Sequence, residues 1–130
     1  MDRHKDTPSP HILVVDDALV TRESIAHFLT FNGYTVETAT SGEEGLEKFK
    51  VGQFDVVLTD WNMPGIDGPQ LVDAIKELSP GTPVVLTSAF IDLGADAELP
   101  RADRIVSKLP GEMLKALQDI ASKKSHKHMK

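Results

Sequence analysis

The sequence contains no cysteine, and this absence excludes several kinds of site at once. The chain has no disulfide, no thiol nucleophile and no cysteine-based zinc site. A reducing compartment suits such a chain, so we expect a cytoplasmic protein. Long apolar runs are also absent, and none approaches the roughly 20 residues that cross a membrane. The first ten residues are polar, so we predict neither a secretory signal nor a membrane partner.

Basic residues are fewer than acidic residues. The chain has 14 Lys and Arg against 20 Asp and Glu, which leaves a net charge of −6 at pH 7. This acidic balance argues against nucleic acid as a direct partner. The 130 residues, 40% of them hydrophobic, are enough for one globular domain with its own core.

Two short apolar runs are followed by carboxylates, one directly and one after a single threonine. Ile12–Val15 runs into Asp16 and Asp17, and Val56–Leu58 is followed closely by Asp60. Such runs predict parallel strands buried on both faces, and open α/β sheets bind ligands at the carboxyl ends of their strands. Each acid alone could equally be the N-cap of a helix. Two carboxylates about 5 Å apart repel by about 3 kcal/mol, which a divalent cation with oxygen ligands would offset.

Strands alternate with helical patterns along the chain. The predicted strands cover residues 12–15, 34–38, 56–60, 83–88 and 105–107, and the alternation of apolar and polar residues over 34–38 predicts an edge or half-exposed strand. Helices are predicted over residues 18–31, from 41 to Gly52, around 71–78 and around 113–121, with a short or poorly formed one within 90–103. Ser41, followed three residues later by Glu44, predicts a capping box at the start of the second helix. This alternation predicts an α/β fold: a flavodoxin-like, doubly wound, five-stranded parallel sheet of order 2-1-3-4-5 with helices on both faces. We expect one domain over residues 11–123, with residues 1–10 and 124–130 as flexible tails.

Two further residues complete a candidate site. Ser88 ends the predicted fourth strand and Lys108 follows the fifth, so both lie at the same edge of the sheet as the acids. A carboxylate, a hydroxyl, an ammonium and a pair of cation-binding acids are together the parts needed to hold a phosphoryl group. Taken singly, Ser88 is typical of a turn and Lys108 of a solvated surface.

This set of residues resembles that of a known family. The receiver domain of two-component response regulators carries a pattern similar to four parts of this chain, namely Asp16-Asp17, Asp60, Ser88-Ala89 and Lys108. The stretch from Asp60 to Gly68 is similar to the single-domain chemotaxis regulators. The resemblance covers about residues 11–123, which is nearly the whole chain.

The resemblance implies a switch that phosphorylates and dephosphorylates itself, and not an enzyme that turns over an external substrate. Asp60 would accept a phosphoryl group from the phosphohistidine of a sensor histidine kinase or a phosphotransfer protein. Lys108 would stabilise the transferring group, and Ser88 would hydrogen-bond it afterwards. The implied cofactor is Mg²⁺, with ligands from Asp16, Asp17, Asp60 and the backbone carbonyl of Asn62.

The expected output is binding to a downstream protein through the face formed by the predicted fourth helix, fifth strand and fifth helix. Ile105 departs from the family on this face, where Tyr or Phe is usual. Three other readings stay open: a receiver that is part of a longer regulator or hybrid kinase, a receiver-like module that binds without phosphorylation, and a flavodoxin-like redox protein. Asp16 and Asp17 disfavour the last, because they would repel a flavin phosphate.

Overall fold

The computed structural model describes residues 9–89 and 101–128, the last six of them by their backbone alone. The strands are β1 (His11–Val15), β2 (Thr35–Ala39), β3 (Val56–Asp60), β4 (Val84–Ser88) and β5 (Arg104–Ser107). The helices are α1 (Leu19–Phe31), α2 (Gly42–Val51), α3 (Gly68–Leu78) and α4 (Pro110–His128). The predicted short helix between β4 and β5 falls largely on residues 90–100, which lie outside the described residues.

All five strands pair in parallel, in the order β2-β1-β3-β4-β5. The predicted sheet and its strand order are therefore confirmed. Strands β3 and β4 are buried at every position, including the polar residues that end them, because both faces of the sheet are covered there. Strand β2 alternates between exposed and covered residues, as predicted for an edge strand.

Helices cover both faces of the sheet and produce two separate hydrophobic clusters. One cluster joins α1 and α4 to one face, through residues such as Ile25, Leu29 and Met113. The other joins α3, with part of α2, to the opposite face through Leu71 and Ile75. Successive strand residues point to opposite faces, so the apolar runs supply both clusters at once.

The helix starts agree only in part with the sequence prediction. The Ser41 hydroxyl accepts a hydrogen bond from the Glu44 N–H, as predicted. The Glu44 carboxylate accepts from the N–H of Thr40, one residue before the N-cap, so the expected capping box is formed only by half. A complete capping box that we did not predict joins Asp67 and Gln70 at the start of α3. It anchors the end of the loop that follows β3.

Helix α4 continues to His128, past the boundary expected at residue 123. The backbone of residues 124–128 is thus helical where we expected a flexible tail, and the domain boundary itself stays a prediction. None of the described helices combines the length and the apolar character that crossing a bilayer requires.

Candidate functional site

The carboxyl edge of the sheet brings the predicted acids together. Asp16 follows β1 and Asp60 ends β3, and these two strands are neighbours. Asp16, Asp17 and Asp60 each present a carboxylate oxygen, and the three atoms lie within 4.8 Å of one another. Asp16 and Asp60 are buried, whereas Asp17 is exposed. The acids therefore form one cluster that opens to solvent on the side of Asp17.

Lys108 places its ammonium inside this cluster. Its Nζ lies 3.0 Å from Oδ2 of Asp16 and 3.2 Å from Oδ1 of Asp60. Since β5 lies two strands away from β3, the turn after β5 must bring the side chain back across the sheet edge. One cation is thus shared by two buried carboxylates, which reduces the repulsion between them.

The pKa values of the two central groups reflect this arrangement. Burial and the neighbouring charge of Asp16 raise the pKa of Asp60, and they outweigh the opposing effect of Lys108. Burial alone would lower the pKa of Lys108, but the hydrogen bond and charge of Asp16, together with Asp60, raise it. At neutral pH the Lys108 ammonium is therefore charged, and keeping the Asp60 carboxylate ionised costs free energy in the folded protein.

Asp16 and Asp17 differ sharply in how they are held. Oδ1 of Asp16 accepts a hydrogen bond of 2.9 Å from the Ala18 N–H, and Oδ2 accepts one from Lys108. Its own N–H donates to the carbonyl oxygen of Ala39 at 3.2 Å. Within the described residues, the Asp17 carboxylate has neither a hydrogen bond nor an ion pair. Asp17 is consequently the carboxylate with its lone pairs available.

The remaining predicted residues lie around the cluster. Ser88 is 5% exposed and ends β4, beside the Thr87 that pairs with Asp60. Asn62 lies in the loop after β3, and its carbonyl oxygen accepts no hydrogen bond from the part of the chain that is described. The intervening Trp61 is half-buried and donates its N–H to the Thr87 carbonyl at 2.8 Å. Trp61 therefore follows Asp60 directly in sequence, and its backbone N–H is hydrogen-bonded to β4.

Arg22 is a member of the site that we did not predict. It lies on α1, is only 9% exposed, and donates from Nη1 to the backbone carbonyl oxygen of Asp16 at 2.9 Å. A signal was present in the sequence. Arg22 precedes Ile25 and Leu29 by three and seven residues, which places a cation on the buried stripe of the helix.

Ile105 occupies the position where the receiver pattern usually has an aromatic residue. It is half-buried in β5 and packs against the cluster that includes Leu86 and Ile75, to which Trp61 also contributes. An aliphatic side chain at this point fills space in the core but has no ring to rotate.

The donor set fits Mg²⁺. This ion prefers oxygen ligands, is usually held by one or two carboxylates, and retains several waters. Here three carboxylates converge, two of them buried around a single ammonium, so the cluster carries excess negative charge next to solvent. The ligands it offers are hard carboxylate oxygens, and the chain has no cysteine thiolate to compete with them.

A family model agrees with this geometry. The model described as the response regulator receiver domain matches residues 12–118. The chain belongs to this family. Receiver domains bind Mg²⁺ at an acidic cluster, and the family interacts with histidine kinases or phosphotransfer proteins. The three carboxylates of this chain form an acidic cluster of that kind.

Relatives of this receiver domain differ in length. The response regulator MprA of Mycobacterium ulcerans (strain Agy99) is 39% identical over 102 residues, which are 72% of this chain and 44% of that protein. The chain thus spans less than half the length of that relative.

Solved structures of similar proteins match almost end to end. The chemotaxis protein CheY4 of Vibrio cholerae is 32% identical with a TM-score of 0.78, covering 85% of this chain and 98% of that one. The response regulator protein TrrA of Thermotoga maritima, in complex with Mg²⁺ and BeF, is 33% identical with a TM-score of 0.76, covering 88% of this chain and 97% of that one.

Proposed function

We propose that this receiver domain is a phosphorylation-dependent signalling switch in which Asp60 accepts a phosphoryl group from a phosphohistidine. The observation that carries the proposal is the ammonium of Lys108, which contacts both Asp16 and Asp60 inside a cluster of three carboxylates. A merely structural ion pair needs one partner for the cation. Two buried acceptors and a third carboxylate at the surface, unpaired among the described residues, are better suited to a transferable anionic group.

The transfer uses the Asp60 carboxylate as the nucleophile. One of its oxygens attacks phosphorus, the bond from phosphorus to the histidine nitrogen breaks, and its electron pair returns to the imidazole, which takes a proton. Lys108 stabilises charge on the phosphoryl oxygens, and the Ser88 hydroxyl donates a hydrogen bond to the group after transfer. Attack by water on the phosphorus breaks its bond to the Asp60 oxygen, which releases inorganic phosphate and restores the carboxylate. The protein therefore cycles between two states and does not turn over an external substrate.

The residues that would hold Mg²⁺ are Asp17 and Asp60 directly, Asp16 largely through water, and the carbonyl oxygen of Asn62. Both oxygens of Asp16 already accept hydrogen bonds, which supports a water-mediated role for that carboxylate. A bound Mg²⁺ would offset the charge of the transferring group. Asp17, which has no partner in the described part of the chain, has the free lone pairs that direct coordination needs.

The phosphoryl donor would be a sensor histidine kinase or a phosphotransfer protein. Leu19 and Val20, at the start of α1 beside the cluster, are 62% and 76% exposed. These apolar side chains support a protein surface docking next to Asp17, since association buries apolar area. We also place this exchange in the cytoplasm, the compartment that a cysteine-free chain favours.

The output would be the binding of a downstream protein by the face that includes β5 and α4. A groove between these elements is lined by Val106, Leu109 and Lys115, and Leu109 is 61% exposed. In a longer regulator the same face would contact a further domain, a possibility that the 44% coverage of MprA supports.

The proposal is tested by mass spectrometry after incubation with acetyl phosphate and Mg²⁺. The wild type should gain the mass of one phosphoryl group, and Asp60→Asn should gain none. Asp73→Asn is the matched control, because Asp73 is an exposed carboxylate on α3. It should be phosphorylated like the wild type. Absence of a Mg²⁺-dependent adduct on Asp60 in the wild type would leave a receiver-like module that binds without phosphorylation.

A further inference from the structure

The backbone of Asp16 is held by a buried arginine. Four polar atoms of Asp16 each have a partner: its N–H bonds to Ala39, Oδ1 to Ala18, Oδ2 to Lys108, and its carbonyl oxygen to Nη1 of Arg22. The first three come from the sheet, from the start of α1 and from the cation of the site. Of these four partners, Arg22 is the one whose buried charge contacts a neutral backbone group.

Burial of the Arg22 guanidinium costs folding free energy, so a contribution to stability does not by itself explain this contact. A guanidinium has five N–H donors and loses much hydration when it is buried, whereas an apolar side chain at the same place would pack against the sheet without that cost. Arg22 lies on the same stripe of α1 as the fully buried Leu29. A role in the site explains why a cation lies there.

We propose that Arg22 is a positioning residue for the metal-binding carboxylate of Asp17. The carbonyl oxygen that it holds belongs to the peptide unit joining Asp16 to Asp17. A peptide unit is planar, so fixing its oxygen also fixes the N–H of Asp17 and the direction in which the Asp17 chain leaves. Asp17 needs this support because its carboxylate has no partner of its own among the described residues. The inference rests on the proposed function of the cluster.

Charge and position predict opposite results when the guanidinium is removed. A cation near the acid cluster repels Mg²⁺, so if Arg22 acted only by its charge, removing it would tighten binding. If Arg22 positions Asp17, removing it weakens binding, since supports of metal ligands typically contribute about tenfold in affinity. The direction of the change therefore separates the two roles.

The test is calorimetric titration of the full chain with Mg²⁺, together with its melting temperature without metal. Arg22→Met should weaken Mg²⁺ binding by about tenfold. Arg22→Lys, which keeps a cation and a donor, should lie between Arg22→Met and the wild type. Lys76→Met is the matched control, because the Lys76 ammonium is also largely buried and donates to a backbone carbonyl, that of Thr82, at 2.8 Å. It should lower the melting temperature and leave Mg²⁺ affinity unchanged.

Unchanged or tighter Mg²⁺ binding by folded Arg22→Met would overturn the inference. Should that variant fail to fold, Arg22→Gln takes its place with the same expectation, since it also lacks the guanidinium and is shorter by two bonds. Failure of the proposed function has a different signature. In that case the wild type would gain no phosphoryl mass from acetyl phosphate although it binds Mg²⁺, whereas a wild type that does not bind Mg²⁺ would overturn the inference as well.

Discussion

The ammonium of Lys108 lies 3.0 Å from Oδ2 of Asp16, although 92 positions separate the two residues in the chain. The same ammonium lies 3.2 Å from Oδ1 of Asp60. Three segments that are distant in sequence therefore meet in one charged group at the carboxyl edge of the sheet. Its balance of charge explains both the chemistry we propose and the stability changes expected below.

We expect Asp60→Asn to stabilise the metal-free protein. Burial and the charge of Asp16 raise the pKa of Asp60, so its ionised form is less favourable in the folded protein than in the unfolded chain. The melting temperature at neutral pH should rise by about 2–5 °C.

The pH dependence of that gain has a defined sign. The cost of ionised Asp60 is fully present above its raised folded pKa, declines as the pH falls below that value, and is absent below the pKa of the unfolded chain. Thermal unfolding in EDTA should thus show the difference between Asp60→Asn and the wild type shrinking towards acid pH. Asp73→Asn, which alters an exposed pair with Arg101, should stay within about 0.5 kcal/mol of the wild type. If Asp60→Asn melted below the wild type at neutral pH, this prediction would be contradicted.

Lys108→Ala should destabilise the fold, because it leaves two buried carboxylates facing each other without their cation. The free energy of unfolding should fall by about 1–3 kcal/mol, less than for a fully buried pair because part of the Lys108 side chain is exposed. Urea unfolding measures this loss. In the Lys108→Ala background, Asp60→Asn should stabilise by more than it does in the wild type. Equal increments in the two backgrounds would show that the ammonium and Asp60 are not coupled.

Gly68→Ala should disturb the support beneath Asp60. A Cβ on Gly68 would collide with the backbone carbonyl of Asp60 and lie 2.6 Å from the Leu86 side chain. Because the backbone of β3 cannot give way, we expect a loss of about 1–3 kcal/mol and slower phosphorylation of Asp60. Gly111→Ala is the matched control, since Gly111 also lies in the first turn of a helix but has open space around it.

The control Gly111→Ala should leave the free energy of unfolding unchanged or raise it by up to about 1 kcal/mol through helix propensity. Equal stability and equal phosphorylation rates for the two alanine variants would rule out the proposed contact. Both quantities come from urea unfolding and from the time course of the acetyl phosphate adduct.

Trp61 should report on the site by fluorescence. It is the single tryptophan of the chain, follows Asp60 directly and is half-buried. Its emission should change when Mg²⁺ is added and change again with beryllofluoride, since each step alters the charge beside the indole. The second change should require Asp60 and vanish in Asp60→Asn, and it should be much weaker in Lys108→Ala. A second change of full size in Asp60→Asn would place the beryllofluoride site elsewhere.

The sequence by itself determined the sheet and the edge at which the candidate site lies. Uninterrupted apolar runs such as Val56–Leu58 can be satisfied only by strands covered on both faces, and the acids that end them then lie at the carboxyl edge. Local patterns of this kind involve neighbouring residues, so they are readable without the fold. The same reasoning located Ser88 and Lys108 at that edge.

Only the tertiary structure decided which groups are paired there. Nothing near Lys108 in the sequence indicates that its ammonium is shared by Asp16 and Asp60, and nothing near Arg22 names the carbonyl oxygen of Asp16 as its partner. Likewise, the packing of α1 and of the turn after β5 decides that Asp16 is fully held, while Asp17 has no partner within residues 9–89 and 101–128. Such contacts join segments far apart in the chain, and their distances depend on how helices and strands pack, which local sequence patterns do not encode.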